Sequence, residues 1–386
     1  MRTTTASENA TRDTQVLGMS LELGASEWKM AFSPGVGQQP RQRVVAAGDL
    51  EAVKKETAAA KARFKLPADT RVVSCYEAGR DGFWIHRALE MLGVENHVVD
   101  SAAIEVNRRA RRAKTDRLDA AKLVNMLLRY LSGEKHVWKV VRVPTEEEED
   151  RRHLHRELKT VKGARTAVTN RIKGLLATVG VRVKEISELP RLLERLRRWN
   201  GEPLPKWLKA RLERECEERE QLEQRIAALE KQRKELLRNG TDSGSECARK
   251  LHQLRGIGSN GSWLYSLEFF AWRDFKNRRQ IGGLAGLAPT PYQSGADRRE
   301  QGICKAGNRW MRSLAIEIAW GWLRYQPDSE LSRWYRERYA NGSARLRKIG
   351  IVALARKLLI ELWKYLQTGT PPAGAVLKKQ AQPKAA

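Results

Sequence analysis

The sequence predicts an α/β domain in its first 145 residues and a mainly helical structure beyond them. In the first part, apolar or β-branched runs alternate with a helical pattern, which is typical of an α/β sheet. After Thr145, apolar residues recur at steps of three and four residues, which predicts long amphipathic helices. The chain of 386 residues is long enough for two or three domains with their own cores.

Three runs in the N-terminal part are predicted to form strands: Val16–Phe32, Arg71–Tyr76 and Asn96–Val99. Between the last two, Gly82–Leu92 has apolar residues at helical spacing and is followed by Gly93. Glycine is a common helix C-cap because it adopts the left-handed conformation without strain. The order of elements therefore favours a sheet covered by helices.

The middle of the chain is predicted to be a helical hairpin. Glu146–Asp150 is an acidic run that suits a helix N-terminus. From Leu154 to Val179, apolar residues at alternating steps of four and three predict the seam of a coiled coil. Leu212–Leu237 repeats this spacing, which places Gly201–Pro205 near the tip and Asn239–Ser245 in the exit linker.

From Cys247 to about Gln367 the pattern is again helical, with more glycine and tryptophan. Leu254–Gly258 fits either a helix-hairpin-helix turn, whose N–H groups can meet a phosphate, or a plain interhelical turn. Arg345–Lys348 is either a phosphate-binding strip or a solvated loop. Tryptophans at helical spacing favour core packing, with stacking on RNA bases as the alternative. They are Trp310, Trp320, Trp322, Trp334 and Trp363.

The charge of the chain predicts a nucleic-acid partner. Lys and Arg number 73 against 46 Asp and Glu, so the formal net charge is +27. An anionic membrane is the competing partner, but no apolar run approaches the roughly 18 residues of a membrane span. The first 14 residues lack the apolar core of a signal peptide. Four scattered cysteines without CxxC spacing argue against zinc and for a reducing compartment, so we expect a bacterial cytoplasmic, nucleoid-associated protein.

Asp116 and Asp119 are the first candidate site residues. They lie three positions apart, so on a helix they share one face. Carboxylate oxygens are good Mg²⁺ ligands, and nearby cations can hold a polyanion. These cations include Arg111, Arg112, Lys114 and Arg117. The alternative is a solvated helix face with Asp–Arg pairs.

Glu22 and Glu77 each lie at the end of a predicted strand. Strand-end carboxylates that meet helix carboxylates are the arrangement of RNase H and RuvC-like nucleases, in which two metal ions assist phosphoryl transfer. The alternatives are a lone charge on an edge strand for Glu22 and a turn residue for Glu77.

With these residues in place, the chain resembles the DEDD transposases of insertion sequences, the bridge-RNA-guided serine recombinases. The spacing of Glu22, Glu77, Asp116 and Asp119 carries the first half of the resemblance. The second half lies in three later motifs, in the order of the family. They are Gly286–Pro289, Tyr292–Gly295 and Gly302–Arg309. The resemblance covers roughly residues 15–370.

The resemblance implies a RuvC-like DEDD domain (15–145), a coiled-coil helical region (146–245) and a C-terminal transposase domain (246–369). The sequence itself predicts a disordered tail at residues 1–14 and a disordered basic tail at residues 370–386, which is rich in Pro, Ala and Lys. The resemblance also implies DNA as substrate, a structured guide RNA, Mg²⁺, and a homo-oligomer, a dimer or tetramer, whose subunits share the active site.

Ser294 matches the family's serine, which attacks DNA. No histidine lies nearby in the sequence to act as base, so metal activation is needed. Cations around the motif can stabilise a pentavalent transition state. They are Arg298, Arg299, Lys305, Arg309 and Arg312. Ser294 as an ordinary turn residue and Tyr292 as nucleophile are the alternatives.

The chain departs from the family at Glu22, where the family usually has Asp. The additional methylene shifts the carboxylate by about 1.5 Å or less. Some metal sites accommodate such a shift and others lose the ligand. Two other functions therefore stay open: a RuvC-like junction nuclease that uses water as nucleophile, and a catalytically inactive, basic nucleic-acid-binding protein.

Overall fold

The computed structural model describes residues 15–104, 116–294 and 297–378, without the side chains of residues 102, 116, 117 and 292–301. The chain divides into two compact units, Met1–Pro144 and Thr145–Ala386. Within the described residues, no helix has the length and apolar character of a membrane span.

The first unit is built on a five-stranded mixed sheet, which confirms an α/β N-terminal part. The strands are β1 (Val16–Leu23), β2 (Glu27–Ser33), β3 (Arg41–Ala46), β4 (Arg71–Glu77) and β5 (Glu95–Val99). Their order is β3-β2-β1-β4-β5, with β4 parallel to β1 and β5, and with β2 antiparallel to β1 and β3. The first predicted strand is thus a hairpin, because the chain turns at Gly24, whose N–H donates to Glu27 O.

Helices cover both faces of this sheet. They are α1 (Leu50–Arg63), α2 (Trp84–Met91) and α3 (Asp116–Leu131). On one face, α1 and α2 bury Val53, Ile85 and Leu89 against β1 and β2. On the other face, α3 packs on β1, β2 and β4. Gly93 ends α2 with a φ of 74°, as predicted.

The second unit begins with two long helices that run antiparallel. Its first helices are α4 (Glu146–Asp150), α5 (His153–Ala177), α6 (Leu189–Leu192), α7 (Lys206–Asn239) and α8 (Ser243–Gln253). Leu158 and Val161 of α5 pack against Ile226 of α7, and Arg171 pairs with Glu215. A helical hairpin is therefore confirmed, whereas its coiled-coil character stays a prediction.

The rest of this unit is helical apart from one β-hairpin. Its elements are α9 (Ser259–Tyr265), a π-helical turn (Ser266–Phe270), α10 (Arg278–Leu284), β6 (Pro289–Ser294), β7 (Asp297–Ile303), α11 (Arg309–Tyr325), α12 (Glu330–Tyr335), a second π-helical turn (Arg336–Ala340) and α13 (Ala344–Thr368). Trp322 is fully buried in the core of this unit. Three further tryptophans pack against that core, as was predicted from their helical spacing: Trp310, Trp334 and Trp363. Trp320 is half exposed.

Residues 371–378 differ from the disorder predicted for 370–386, since they pack against the rest of the second unit. Val376 O accepts a hydrogen bond from the Arg255 N–H at 3.1 Å, and Lys378 Nζ donates to Ile257 O at 2.7 Å. These contacts occupy the Arg255 N–H and the Ile257 carbonyl of the Leu254–Gly258 turn. Residues 1–14 and 379–386 lie outside the described residues.

A buried ionic cluster joins the start of α5 to the first π-helical turn. Glu268, which is 5% exposed, accepts hydrogen bonds from His155 Nε2 at 2.8 Å and from Arg156 Nε at 2.7 Å. Burial raises the pKa of Glu268, but the hydrogen bonds and charges of His155 and Arg156 outweigh it and lower this pKa to about 2. Burial also lowers the pKa of His155, which favours a neutral ring that donates through Nε2.

This cluster predicts a pH-dependent stability for the second unit. Because the pKa of Glu268 is lower in the folded state, the cluster stabilises the fold above the ordinary carboxyl pKa. That stabilisation is lost as the pH falls toward 2. Glu268→Gln should cost about 2 kcal/mol in urea unfolding at pH 7 and should remove this acid-dependent component.

The matched control is Glu223→Gln, which alters a partly exposed ion pair with Arg165 and Arg219 of the long helices. Its cost should stay below about 1 kcal/mol. Equal losses in the two variants would contradict a special role for the buried cluster.

Candidate active site

Glu22 and Glu77 lie side by side at the carboxyl edge of the sheet. The parallel pairing of β1 and β4 sets Leu21 opposite Tyr76, so the next residue on each strand is a glutamate. Both glutamates are half-buried. Each also makes an interaction with the surrounding protein, so neither is free.

Both glutamates belong to the sheet face that α3 covers. Side chains alternate between the faces of a strand, so Gly18, Ser20 and Glu22 share one face. Ser20 Oγ donates a 2.6 Å hydrogen bond to Ala120 O of α3. On β4, Cys75 Sγ lies 3.8 Å from Leu123 O, which places Glu77, two residues on, on the same face. Burial and then the nearby charge of Glu77 raise the pKa of the Cys75 thiol.

The direction of α3 brings its first turn toward these glutamates. Ser20 contacts Ala120, whereas Gly18, farther from the carboxyl end of β1, lies beneath Leu128. The N-terminus of α3 therefore points to the end of the sheet where Glu22 lies. Asp119 is half-buried and directly precedes Ala120. Asp116 is the first residue of α3, and its side chain lies outside the described residues.

The structure thus places Glu22, Glu77 and Asp119 at one edge and on one face of the sheet. Among the side chains that are described, however, no three His, Cys, Asp or Glu residues are close enough to hold a metal ion. A complete metal site at this edge therefore depends on Asp116 or on a rearrangement of the other carboxylates.

Sequence reasoning missed one further carboxylate, Asp100. It directly follows β5, whose Val99 is paired with Glu77. The signal was the same as for Glu77, a carboxylate after an apolar strand, here in Val98-Val99-Asp100. Its backbone N–H donates to Lys139 O at 2.9 Å, and it has a further interaction within the protein.

A basic groove lies beside Glu22. Lys29 is the antiparallel partner of Glu22 on β2, and it lines a cavity of about 330 Å³ together with Arg43 and Ala120. Lys29 already has an interaction within the protein, and Arg43 Nε lies 3.3 Å from Glu56 Oε2, so both cations that line the cavity have internal partners. Arg111, Arg112 and Lys114 lie outside the described residues, and so does the side chain of Arg117.

Ser294 is the last residue of β6 and is paired with Asp297 across the turn of the β-hairpin. The same register pairs Tyr292 with Arg299 and Gln293 with Arg298, so the predicted arginines lie on the strand opposite the serine motif. The side chains of these residues are not described, and the pairing therefore fixes only their backbone positions.

A tight crossing of backbones holds this hairpin to α10 and α11. Gly286 has a φ of 65° and Gly307 a φ of 124°. A Cβ on Gly307 would lie 2.4 Å from Leu284 O. Arg312 Nη1 donates to Lys305 O at 3.0 Å, so this arginine also secures the crossing. Asn308 caps α11, with its side chain accepting from the N–H of Trp310.

Lys305 and Arg309 are both exposed, and neither has an ion pair with a described residue. Lys305 also adopts a left-handed backbone with a φ of 57°, which is uncommon for a residue with a Cβ. Their charges are thus available to an anion, whereas Arg312 is already engaged with backbone carbonyls.

Residues 248–336, which include the hairpin and its motifs, match the family described as "Transposase IS116/IS110/IS902 family". The chain is also similar to "Putative transposase y4rJ" of Sinorhizobium fredii, with 43% identity over 379 residues that cover 95% of this chain and 96% of that protein.

The chain belongs to the IS116/IS110/IS902 family of transposases.

Two more distant relatives are also described as transposases. A "Probable family 20 transposase" of Pseudomonas aeruginosa is 28% identical over 234 residues, which cover 60% of this chain and 67% of that protein. The "Transposase for insertion sequence element IS1328" of Yersinia enterocolitica is 26% identical over 235 residues, covering 58% and 65% of the two chains.

The crossing at Gly307 leads to a prediction about stability. Gly307→Ala should destabilise the transposase by more than about 3 kcal/mol, because the new Cβ meets backbone oxygens that have no room to move. Gly302→Ala is the matched control, since Gly302 also has a positive φ, of 88°, but has nothing within 4 Å of its Cβ position. This control should cost about 1 kcal/mol. Thermal unfolding of both variants would show equal costs if the close approach were unimportant.

Proposed function

We propose that this transposase cuts and rejoins the DNA of its insertion sequence through a covalent link between Ser294 and a DNA phosphate. The observation that carries the proposal is the convergence of Glu22, Glu77 and the Asp119 end of α3 at one edge of the sheet. A RuvC-like fold accounts for this convergence, since strand-end and helix carboxylates meet there.

The carboxylates fit Mg²⁺ by their chemistry. Glu22, Glu77, Asp116 and Asp119 offer only hard oxygen donors, which this ion prefers. Ser20 holds α3 against β1, so the helix carries Asp119 at a defined place on the sheet. When bound, Mg²⁺ supplies positive charge that polarises a phosphate oxygen and lowers the pKa of a coordinated hydroxyl.

Ser294 is the proposed nucleophile. Its hydroxyl loses a proton, its oxygen bonds to phosphorus, and the bond from phosphorus to a sugar oxygen breaks. The freed strand end takes up a proton, and attack by a hydroxyl of the new strand later releases the serine. Lys305 and Arg309 are the exposed cations available to stabilise the charge on phosphorus.

Two partners of this reaction rest on the family resemblance alone. One is a structured guide RNA, and the other is a second copy of the chain in a homo-oligomer. The net charge of +27 supports binding of extended nucleic acid by backbone contacts.

The carboxylate proposal predicts that Asp119→Asn abolishes strand cleavage and leaves folding and DNA affinity near those of the wild type. The amide keeps the shape but loses the negative charge that a divalent metal needs. Cleavage of labelled element-end DNA with Mg²⁺ measures this effect. Asp69→Asn, an exposed aspartate in the loop before β4 at the opposite edge of the sheet, is the control and should cleave normally. Normal cleavage by Asp119→Asn would remove α3 from the proposed site.

The serine proposal predicts that Ser294→Ala binds DNA but forms neither a covalent adduct nor recombined product. Denaturing gels of labelled end DNA detect both. Thr290→Val removes a hydroxyl from the same strand, one that donates to Gly302 O, and should still form the adduct. An adduct that persists in Ser294→Ala but is lost in Tyr292→Phe would identify the tyrosine instead. Free cut ends without any adduct in the wild type would indicate a water-using nuclease, and binding without products an inactive binder.

A further inference from the structure

The tip of the long helical hairpin is a small packed structure. Residues 178–211, which we call the hairpin tip, connect the end of α5 to the start of α7 and include the first turns of α7. A core of Val181, Leu189 and Leu204 packs against Ile172 and Leu212 of the long helices. The tip therefore has its own apolar centre and a defined shape.

Two tryptophans lie outside this centre. Trp199 and Trp207 are each 80% exposed. Tryptophan is highly buried on average, so two such exposed side chains within nine residues of the hairpin tip indicate a partner. Smaller aliphatic residues fill the core instead.

The backbone fixes the position from which each tryptophan side chain extends. The Trp199 N–H donates to Val179 O at 3.1 Å, and a Cβ on Gly180 would lie 2.8 Å from Trp199 Cβ. Gly180 has a φ of 76°, so glycine is suited to this close contact. Trp207 lies in the first turn of α7, where Lys206 Nζ is 5.5 Å from its ring centroid. The indoles are therefore presented by ordered backbone.

Positive charge surrounds them. The hairpin tip contains nine Lys and Arg against four Glu. Arg182, Lys184, Arg195 and Lys206 are exposed, and no ion pair joins any of them to a described residue. A surface with aromatic faces and unpaired cations is complementary to a polyanion that carries exposed rings.

We propose that the hairpin tip binds unpaired bases of single-stranded DNA, with the two indoles stacking on bases and the cations contacting phosphates. Duplex DNA hides its base faces, so the exposed indoles favour a single strand. The charge of the tip favours DNA over a second copy of this basic chain. This site goes beyond the proposed cleavage chemistry and rests only on DNA as the partner of the transposase.

The test measures the affinity of the full chain for a fluorescein-labelled oligo(dT) of about 20 nucleotides and for a duplex of the same length, by anisotropy. Trp199→Ala and Trp207→Ala should each weaken oligo(dT) binding about tenfold and duplex binding less than twofold. Trp320→Ala, a half-exposed tryptophan on α11, is the control and should leave both affinities unchanged. All measurements use the Ser294→Ala background, so their outcome is independent of the cleavage proposal.

Several results would overturn the proposal. Unchanged oligo(dT) binding in both variants would exclude stacking, and an equal loss on duplex would reduce the tip to a phosphate-binding surface. A tryptophan-dependent affinity for oligo(U) but not for oligo(dT) would assign the tip to RNA. A smaller mass in light scattering with unchanged oligo(dT) affinity would make the tip an interface between copies. Circular dichroism melting checks that both variants are folded.

Discussion

The packing of helix α3 on strands β1 and β4 is the constraint on which the carboxylate edge depends. Gly18 lies directly beneath Leu128, where a Cβ would come within 3.0 Å of Leu128 Cδ2, and Ser20 is hydrogen-bonded to Ala120. These contacts fix the distance and the direction of the helix. Because parallel neighbours end at the same edge, Glu22 and Glu77 lie at the end of the sheet toward which the first turn of α3 points.

A set of carboxylates repels a phosphodiester, so any site built from them needs compensating charge close by. Lys29 supplies part of it, since the strand register places it opposite Glu22. Glu22 and Glu77 each already interact with the surrounding protein, so neither carboxylate is free.

The predictable and unpredictable parts of the fold differ in how they bury apolar surface. Strand β1 and helices α5 and α7 were predicted because their apolar residues repeat at a fixed period. Strand β3 and helix α1 were missed, since β3 buries only Val45 and α1 buries only Val53, Thr57 and Ala60. Residues 371–378 are held largely by backbone hydrogen bonds, which leave no pattern in the sequence. The meeting of strand-end and helix carboxylates was an expectation from the sequence, but the contacts that set α3 on the sheet, such as Ser20 with Ala120, leave no pattern in the sequence.

The C-terminal motifs, Gly286–Pro289, Tyr292–Gly295 and Gly302–Arg309, contain residues of two kinds. Some are required by the backbone conformation, and others have exposed side chains. Gly307 is required by a close approach to Leu284 O, and Asn308 is required as the cap of α11. A match at these positions therefore indicates a shared fold and carries no information about the nucleophile. Lys305 and Arg309 differ, because their exposed side chains have no ion pair with a described residue. Neither side chain supports the crossing, so the local fold does not account for their charges, and the hairpin that precedes them carries Ser294.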